Sequence, residues 1–260
     1  MISVITGASA GIGAAAAAEL SRRGHRVVLV GRDESRLKAV AGALSGPKGE
    51  VLTCDFGSLD DVRRLAALLR EHYERIAVLA NNAGVMSPHR RMTPDGHELM
   101  VQVNHLAPFL LTHTLADRVD RVVTTSSRAG RSGRIDPDDL SREGRRWNGW
   151  LQYGDTKQAN ALFTVALADR GVAATCFHPG LIRTGFAGEA RLMRLSLVIP
   201  GFAKPPEHGA RPLVHLATHP DGVERSGGYY SGGRFERVPS MSDPELAERL
   251  WKASLGLVGA

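Results

Sequence analysis

The sequence predicts an α/β fold: a doubly wound parallel sheet of about seven strands with helices on both faces. Three observations carry this prediction. Short β-type runs alternate with longer amphipathic stretches along the chain. Several of the runs are unbroken apolar, as strands become when both faces of a sheet are covered. A glycine-rich turn, Thr6–Gly13, follows the first run and opens the first amphipathic stretch.

The strands are read at Ser3–Thr6, Arg26–Val30, Glu50–Asp55, Ile76–Ala80, Val119–Thr125, Ala173–His178 and Gly228–Ser231. Helical patterns lie between them at Ile12–Arg23, Asp33–Leu44, Leu59–Tyr73, Gly96–Leu115, Tyr153–Asp169 and Glu207–Thr218. No repeat or low-complexity tract interrupts the order. With 260 residues, 43% hydrophobic, the chain can bury a large core, and one domain over 1–260 is expected. Two segments break the rhythm, about 128–150 and 184–206. Long loops in compact domains are often functional. Both follow strands, and ligands of open α/β sheets sit beyond the strands' carboxyl ends, so both are expected to wall a pocket.

Composition narrows the function classes. Cys54 and Cys176 sit in apolar strand patterns and read as buried hydrophobes, which suits a reducing compartment. No apolar run reaches the roughly 20 residues a membrane helix needs. The start enters a strand at once, with no signal-peptide pattern, so a cytoplasmic protein without a membrane anchor is expected. The net charge of +6 comes mainly from arginines scattered in pairs among acids, which reads as a solvated basic surface rather than a nucleic-acid face. The ten histidines show no metal-ligand spacing, and no metal is expected. His178 reads as a strand end.

The first chemical motif is TGASAGIG, Thr6–Gly13. Its position between strand and helix is that of a dinucleotide fingerprint. Gly7, Gly11 and Gly13 would let the backbone approach a pyrophosphate, and the helix start would offer it N–H groups. The Gly-x-x-x-Gly-x-Gly spacing departs from the commonest Rossmann pattern, so context carries the reading. At the end of the second strand, Gly31 stands where an acid would take the ribose hydroxyls of NAD, and Arg32 follows. That favours NADP(H) over NAD(H). Asp33 reads as a helix N-cap. The third group is Ser127, Tyr153 and Lys157. Tyr153 and Lys157 are spaced i, i+4 and share a helix face. Bringing a tyrosine from its usual pKa of about 10 to 7 requires about 4 kcal/mol of selective phenolate stabilisation. A lysine charge and an oxidised nicotinamide would supply much of it. Such a tyrosine exchanges a proton with a carbonyl oxygen as hydride arrives or leaves. Alone, a Tyr/Lys pair at this spacing is far more often an ordinary helix-surface pair.

The combination of TGASAGIG, NNAG (Asn81–Gly84), Ser127 in TTSSRAG, YGDTK (Tyr153–Lys157) and HPGLIRT (His178–Thr184), in that order, resembles the short-chain dehydrogenases/reductases. The 26-position spacing from Ser127 to Tyr153, HPG, and the C-terminal AERLWKAS resemble the retinol-dehydrogenase-like and WW-domain-oxidoreductase-like branch. The resemblance implies a Rossmann fold with Tyr153 as acid/base, Ser127 on the substrate oxygen and Lys157 on the nicotinamide ribose. Ser126 is the rival for Ser127. Asn104 matches the asparagine that holds a relay water. Gly7, Ser9, Ala10, Gly11, Ile12 and Gly13 would surround the pyrophosphate, and Arg32 would meet a 2′-phosphate. Asp55 with Phe56, and Asn81, Ala83 and Gly84, would border the adenosine side. Pro179, Gly180, Ile182 and Thr184 would lie beside the nicotinamide.

The resemblance also implies a homodimer or tetramer pairing the helices at Gly96–Leu115 and Tyr153–Asp169. Asp155, where the family more often has a small residue, projects off the Tyr/Lys face and is expected to be solvated. Phe186 and Leu192–Ile199 read as a lid or an ordinary packed helix, and Trp147 and Trp150 as substrate stackers or packing residues. The implied activity is interconversion of a carbonyl and an alcohol on a hydrophobic small molecule with NADP(H). Reduction of a carbon–carbon double bond, or NADP(H) sensing without turnover, are the alternatives.

Overall fold

The computed structural model describes residues 1–182 and 204–259. Eight strands form one sheet: β1 (Ile2–Thr6), β2 (Arg26–Gly31), β3 (Glu50–Thr53), β4 (Val78–Asn81), β5 (Val122–Thr125), β6 (Ala174–Phe177), β7 (Tyr229–Ser231) and β8 (Arg234–Glu236). Their order is β3-β2-β1-β4-β5-β6-β7-β8. The first seven run parallel, and β8 is antiparallel to β7. The seven expected strands are all present, several trimmed at their ends; Ile76 and Val119 survive only as an isolated bridge. The eighth lies outside the reading because a three-residue strand carries no period. Gly232 and Gly233, both at positive φ, close a two-residue turn that folds it back.

The helices are α1 (Gly11–Arg22), α2 (Glu34–Gly42), α3 (Leu59–His72), α4 (Leu99–Val101), α5 (Ala107–Leu115), α6 (Gly149–Asp169), α7 (Pro206–Thr218), α8 (Asp221–Glu224) and α9 (Pro244–Val258). α1, α2 and α7 cover one sheet face, where Leu20, Leu37 and Leu213 are fully buried. α3, α5, α6 and α9 cover the other around Leu65, Phe109, Leu162 and Leu250. α3 illustrates the local logic. Leu59, Val62, Leu65, Ala66 and Leu69 repeat at helical spacing and are buried, Ser58 caps the start, and acids and bases occupy the ends their dipole favours.

Two helical readings need correction. The pattern over Gly96–Leu115 is not one helix: a π-helical segment, Gln102–Leu106, separates α4 from α5. Pro108 has no N–H to return to the Asn104 carbonyl four residues back, so the regular ladder cannot continue there. α6 starts at Gly149 rather than Tyr153, because the Asn148 side chain accepts from the N–H groups of Trp150 and Leu151. α9, which the period analysis did not mark, packs Trp251 onto Phe109 and Phe163, with ring centroids 4.9 and 6.0 Å away. Ser254 on α9 bonds His105 at 2.8 Å. The α5 and α6 faces expected to pair between subunits are therefore covered within one chain.

Candidate functional site

The sheet order reverses direction between β1 and β4, and both strands end at that crevice. Two motifs meet there. Thr6 Oγ1 donates to the Ala80 carbonyl and accepts from the N–H groups of Asn82 and Ala83 at 2.9 Å each. Asn82 Nδ2 donates to the Thr6 carbonyl at 3.0 Å. The glycine turn is thus tied to NNAG. Gly7 lies at φ +66°, and a Cβ on Gly13 would stand 2.3 Å from the Gly7 carbonyl oxygen, so no larger residue fits. Helix α1 then begins without protection. Its N-cap, Ala10, offers no side-chain acceptor, and its first turn holds no acid. α2, α3, α6 and α9 are all capped by side chains. An uncapped N-terminus at the switch point presents its N–H groups and positive dipole end to an anion. Ser9 and Ile12 are partly exposed at this turn and Ala10 and Arg32 are exposed.

Asp33 caps α2 as expected, accepting from the Arg36 N–H at 3.0 Å and from Ser35 Oγ at 2.6 Å. The Ser35 and Arg36 hydrogen bonds hold its carboxyl below the usual range. Asp33 is therefore engaged locally, while Arg32 beside it is exposed. Asp55 is exposed beyond β3 and accepts from the Gly57 N–H, whereas Phe56 is buried in the core. Asn81 is also turned inward, donating to Thr112 at 2.8 Å. Ala83 and Gly84 remain partly exposed along the crevice.

Ser127, at the end of β5, and Tyr153 and Lys157, on α6, come together at the same edge. Burial pushes the Tyr153 phenol up to about 12 against a hydrogen bond from Ser127 that pulls it down. Lys157 is 3% exposed and donates to the Thr125 carbonyl at 3.0 Å, and burial lowers its pKa to about 8. Its Nζ lies 5.6 Å from the Tyr153 ring centre. Ser126, the rival serine, is buried and donates to the Lys157 carbonyl at 2.6 Å, which makes it part of the frame. Asn104 sits in the π segment. Its amide exchanges two hydrogen bonds with Val85, at 2.7 and 3.0 Å, and donates to Thr156 Oγ1 at 3.1 Å. Pro179, Gly180 and Ile182 follow β6, with Gly180 at φ +90°. Ile182 and Ile12 pack against Gly209 of α7, where any Cβ would meet them below 3.0 Å. Thr184, the expected lid at Phe186 and Leu192–Ile199, and residues 184–203 of the second loop lie outside the described residues.

Asp155 overturns its expectation. It is 1% exposed and accepts from the Arg134 N–H at 2.8 Å and Arg142 Nε at 2.9 Å, with Arg142 Nη2 at 2.8 Å. Arg145 adds a second positive charge at 3.9 Å. The side chain does leave the Tyr/Lys face, but the first loop, not solvent, lies there. Gln152 donates to the Leu140 carbonyl, and Gln158 accepts from the Ile135 N–H. Gln152, Asp155 and Gln158 thus sew the arginine-rich loop onto α6. Trp150 is 58% exposed at the start of that helix.

Sequence reasoning missed Asn82, Asp155 and Thr156 as structural partners of the site. The doubled asparagine of NNAG was one available signal. An acid between Tyr153 and Lys157 was another, since a helix-interior acid beside an arginine-rich segment invites pairing.

The short chain dehydrogenase family model matches residues 1–194. A Streptomyces sp. (strain C5) protein provisionally named a daunorubicin C-13 ketoreductase, DnrU, is 42% identical over 98% of this chain and 92% of its own length. Retinol dehydrogenase 13 of Homo sapiens is 36% identical over 98% of this chain and 84% of its own. A provisionally assigned short chain dehydrogenase from Escherichia coli CFT073, solved in complex with NADPH, superposes with a TM-score of 0.71 at 27% identity, over 88% of this chain and 95% of that chain.

Proposed function

The chain belongs to the short-chain dehydrogenase family, and on that premise we propose that it is an NADP(H)-dependent oxidoreductase interconverting a carbonyl and an alcohol on a hydrophobic small molecule. The observation that carries this reading is the gathering of Ser127, Tyr153 and Lys157 beside an uncapped helix start at the sheet's switch point. The names of the relatives, a ketoreductase and a retinol dehydrogenase, support the substrate class.

The residues present fit a phosphorylated dinucleotide. The Gly7–Gly13 turn has no room for side chains, and the bare N-terminus of α1 suits a pyrophosphate. Arg32 is outward and Asp33 is occupied as a cap, which favours a 2′-phosphate over free ribose hydroxyls. When bound, the nicotinamide supplies the hydride in reduction and accepts it in oxidation. Tyr153 gives its proton to the substrate oxygen in reduction, and Ser127 holds that oxygen. Lys157, charged below about pH 8, stabilises the resulting phenolate. The Asn104 side chain is already engaged with Val85 and Thr156. A relay water would therefore rest on its backbone carbonyl, whose usual helical donor is missing at Pro108. Any homo-oligomer would use a surface other than α5 and α6.

Stopped-flow and steady-state assays of Tyr153→Phe test the mechanism. NADPH binding should persist while turnover of aldehydes or ketones falls by roughly 10²–10⁴-fold; unchanged turnover excludes Tyr153 as the proton donor. Arg32→Ser should narrow the NADPH-over-NADH preference, and a wild-type preference for NADH would remove the role given to Arg32.

A further inference from the structure

Away from the crevice, the turn joining α7 to α8 brings together His215, His219 and Asp221. His215 and His219 stand one helical turn apart, and their rings stack with centroids 4.5 Å apart. Asp221 Oδ2 lies 2.9 Å from His215 Nε2 and 3.3 Å from His219 Nδ1. One donor atom from each residue falls within 4.8 Å of the other two. Tetrahedral ligands about 2.0–2.2 Å from a zinc ion stand roughly 3.3 Å from one another, and the two Asp221–histidine spacings are close to that. Spacing along the sequence passed over this group because the carboxylate comes from the next helix, past Pro220.

Asp221 brings its N–H to 3.2 Å and its carboxylate to 3.3 Å from His219 Nδ1, and the same carboxylate to 2.9 Å from His215 Nε2. The His219 nitrogen has a single lone pair, so a cation shared by His215, His219 and Asp221 would take it in place of the Asp221 N–H. The turn itself is rigidly built. A Cβ on Gly222 would stand 1.9 Å from the Leu216 carbonyl oxygen, and Arg121 donates to the Leu216 and His219 carbonyls at 3.2 and 2.8 Å.

We propose that His215, His219 and Asp221 form a binding site for a borderline divalent cation of the Zn²⁺ class. Two imidazoles and one carboxylate select such an ion over Mg²⁺ or Ca²⁺, which take oxygen ligands, and leave one position for water. The site lies far from the hydride chemistry. α1 and α7 meet near Ile12 and Gly209 beside the glycine turn, and their other ends meet here, where Arg23 bonds Thr218 at 3.1 Å. Bound ion would clamp the end of α7 to α8, a structural role.

Isothermal titration of the chelator-treated full chain with ZnCl₂ tests this, with melting temperature as a second readout. One ion per chain and a raised melting temperature are expected, with no response to MgCl₂. Partners outside a ligand set already cost ~10–100-fold in affinity. His219→Ala and Asp221→Asn should therefore weaken binding by more than about 100-fold, while His219→Cys retains it and exposed His89→Ala has no effect. His219 is half-exposed, so its variants should fold, which metal-free melting checks. Equal Zn²⁺ affinity in His219→Ala, or no rise in melting temperature for the wild type, overturns the proposal.

Discussion

The two sides of α6 are both buried, yet they are buried in opposite ways. On one side, Lys157 and Asn160 share a single acceptor, the Thr125 carbonyl, and Tyr153 holds its proton tightly. The charges there are incompletely matched, and burial lowers the Lys157 pKa to about 8. On the other side, Asp155 is surrounded by a backbone N–H and a buried guanidinium, and its neighbours Gln152 and Gln158 each bond the loop backbone. A buried group with all its partners stabilises; one lacking a counter-charge costs stability and favours an external anion. One helix therefore carries the proposed chemistry on a side where a buried lysine lacks a carboxylate partner, and anchors its pocket wall on a side where Asp155 has its counter-charge.

The strongest way to break this comparison is Asp155→Ala. Removing the acid leaves Arg142 buried and unpaired, which should cost about 3–5 kcal/mol of stability by urea unfolding. Tyr153→Phe should leave the same urea midpoint nearly unmoved while abolishing most turnover. If the two variants behave alike in both assays, the sides are not separable.

Glu98, the buried N-cap of α4, sharpens the structural side. Burial raises its carboxyl from 4.5 to about 7 against the pull of the Met100 and Val101 N–H groups. The native protein therefore keeps a proton that the unfolded chain releases. Stability should fall as pH rises from about 4.5 to 7, by on the order of 3 kcal/mol. Glu98→Gln should flatten that slope; a slope unchanged in the variant would assign it elsewhere. The smallest effect tests the catalytic side. Lys157→Met removes a buried charge paired only with a carbonyl, so stability should hold or rise by about 1 kcal/mol while NADPH affinity falls. A marked loss of stability would mean Lys157 is structural.

Much of this organisation was legible locally. The Tyr153/Lys157 register, the Asp33 cap and the seven parallel strands follow from helical period, capping chemistry and apolar runs, each decided within a few residues. The glycine turn was legible too, because only glycine tolerates the approach at Gly13. The tertiary structure alone decided what meets across long separations. Asn82 locks onto Thr6 from 76 residues away, and Asp155 takes guanidinium partners from a loop without period. α9 covers α5 and α6, and Asp221 turns back toward His215 and His219. Such pairings depend on where the sheet order and the loops bring side chains, and neither propensity nor spacing encodes that placement.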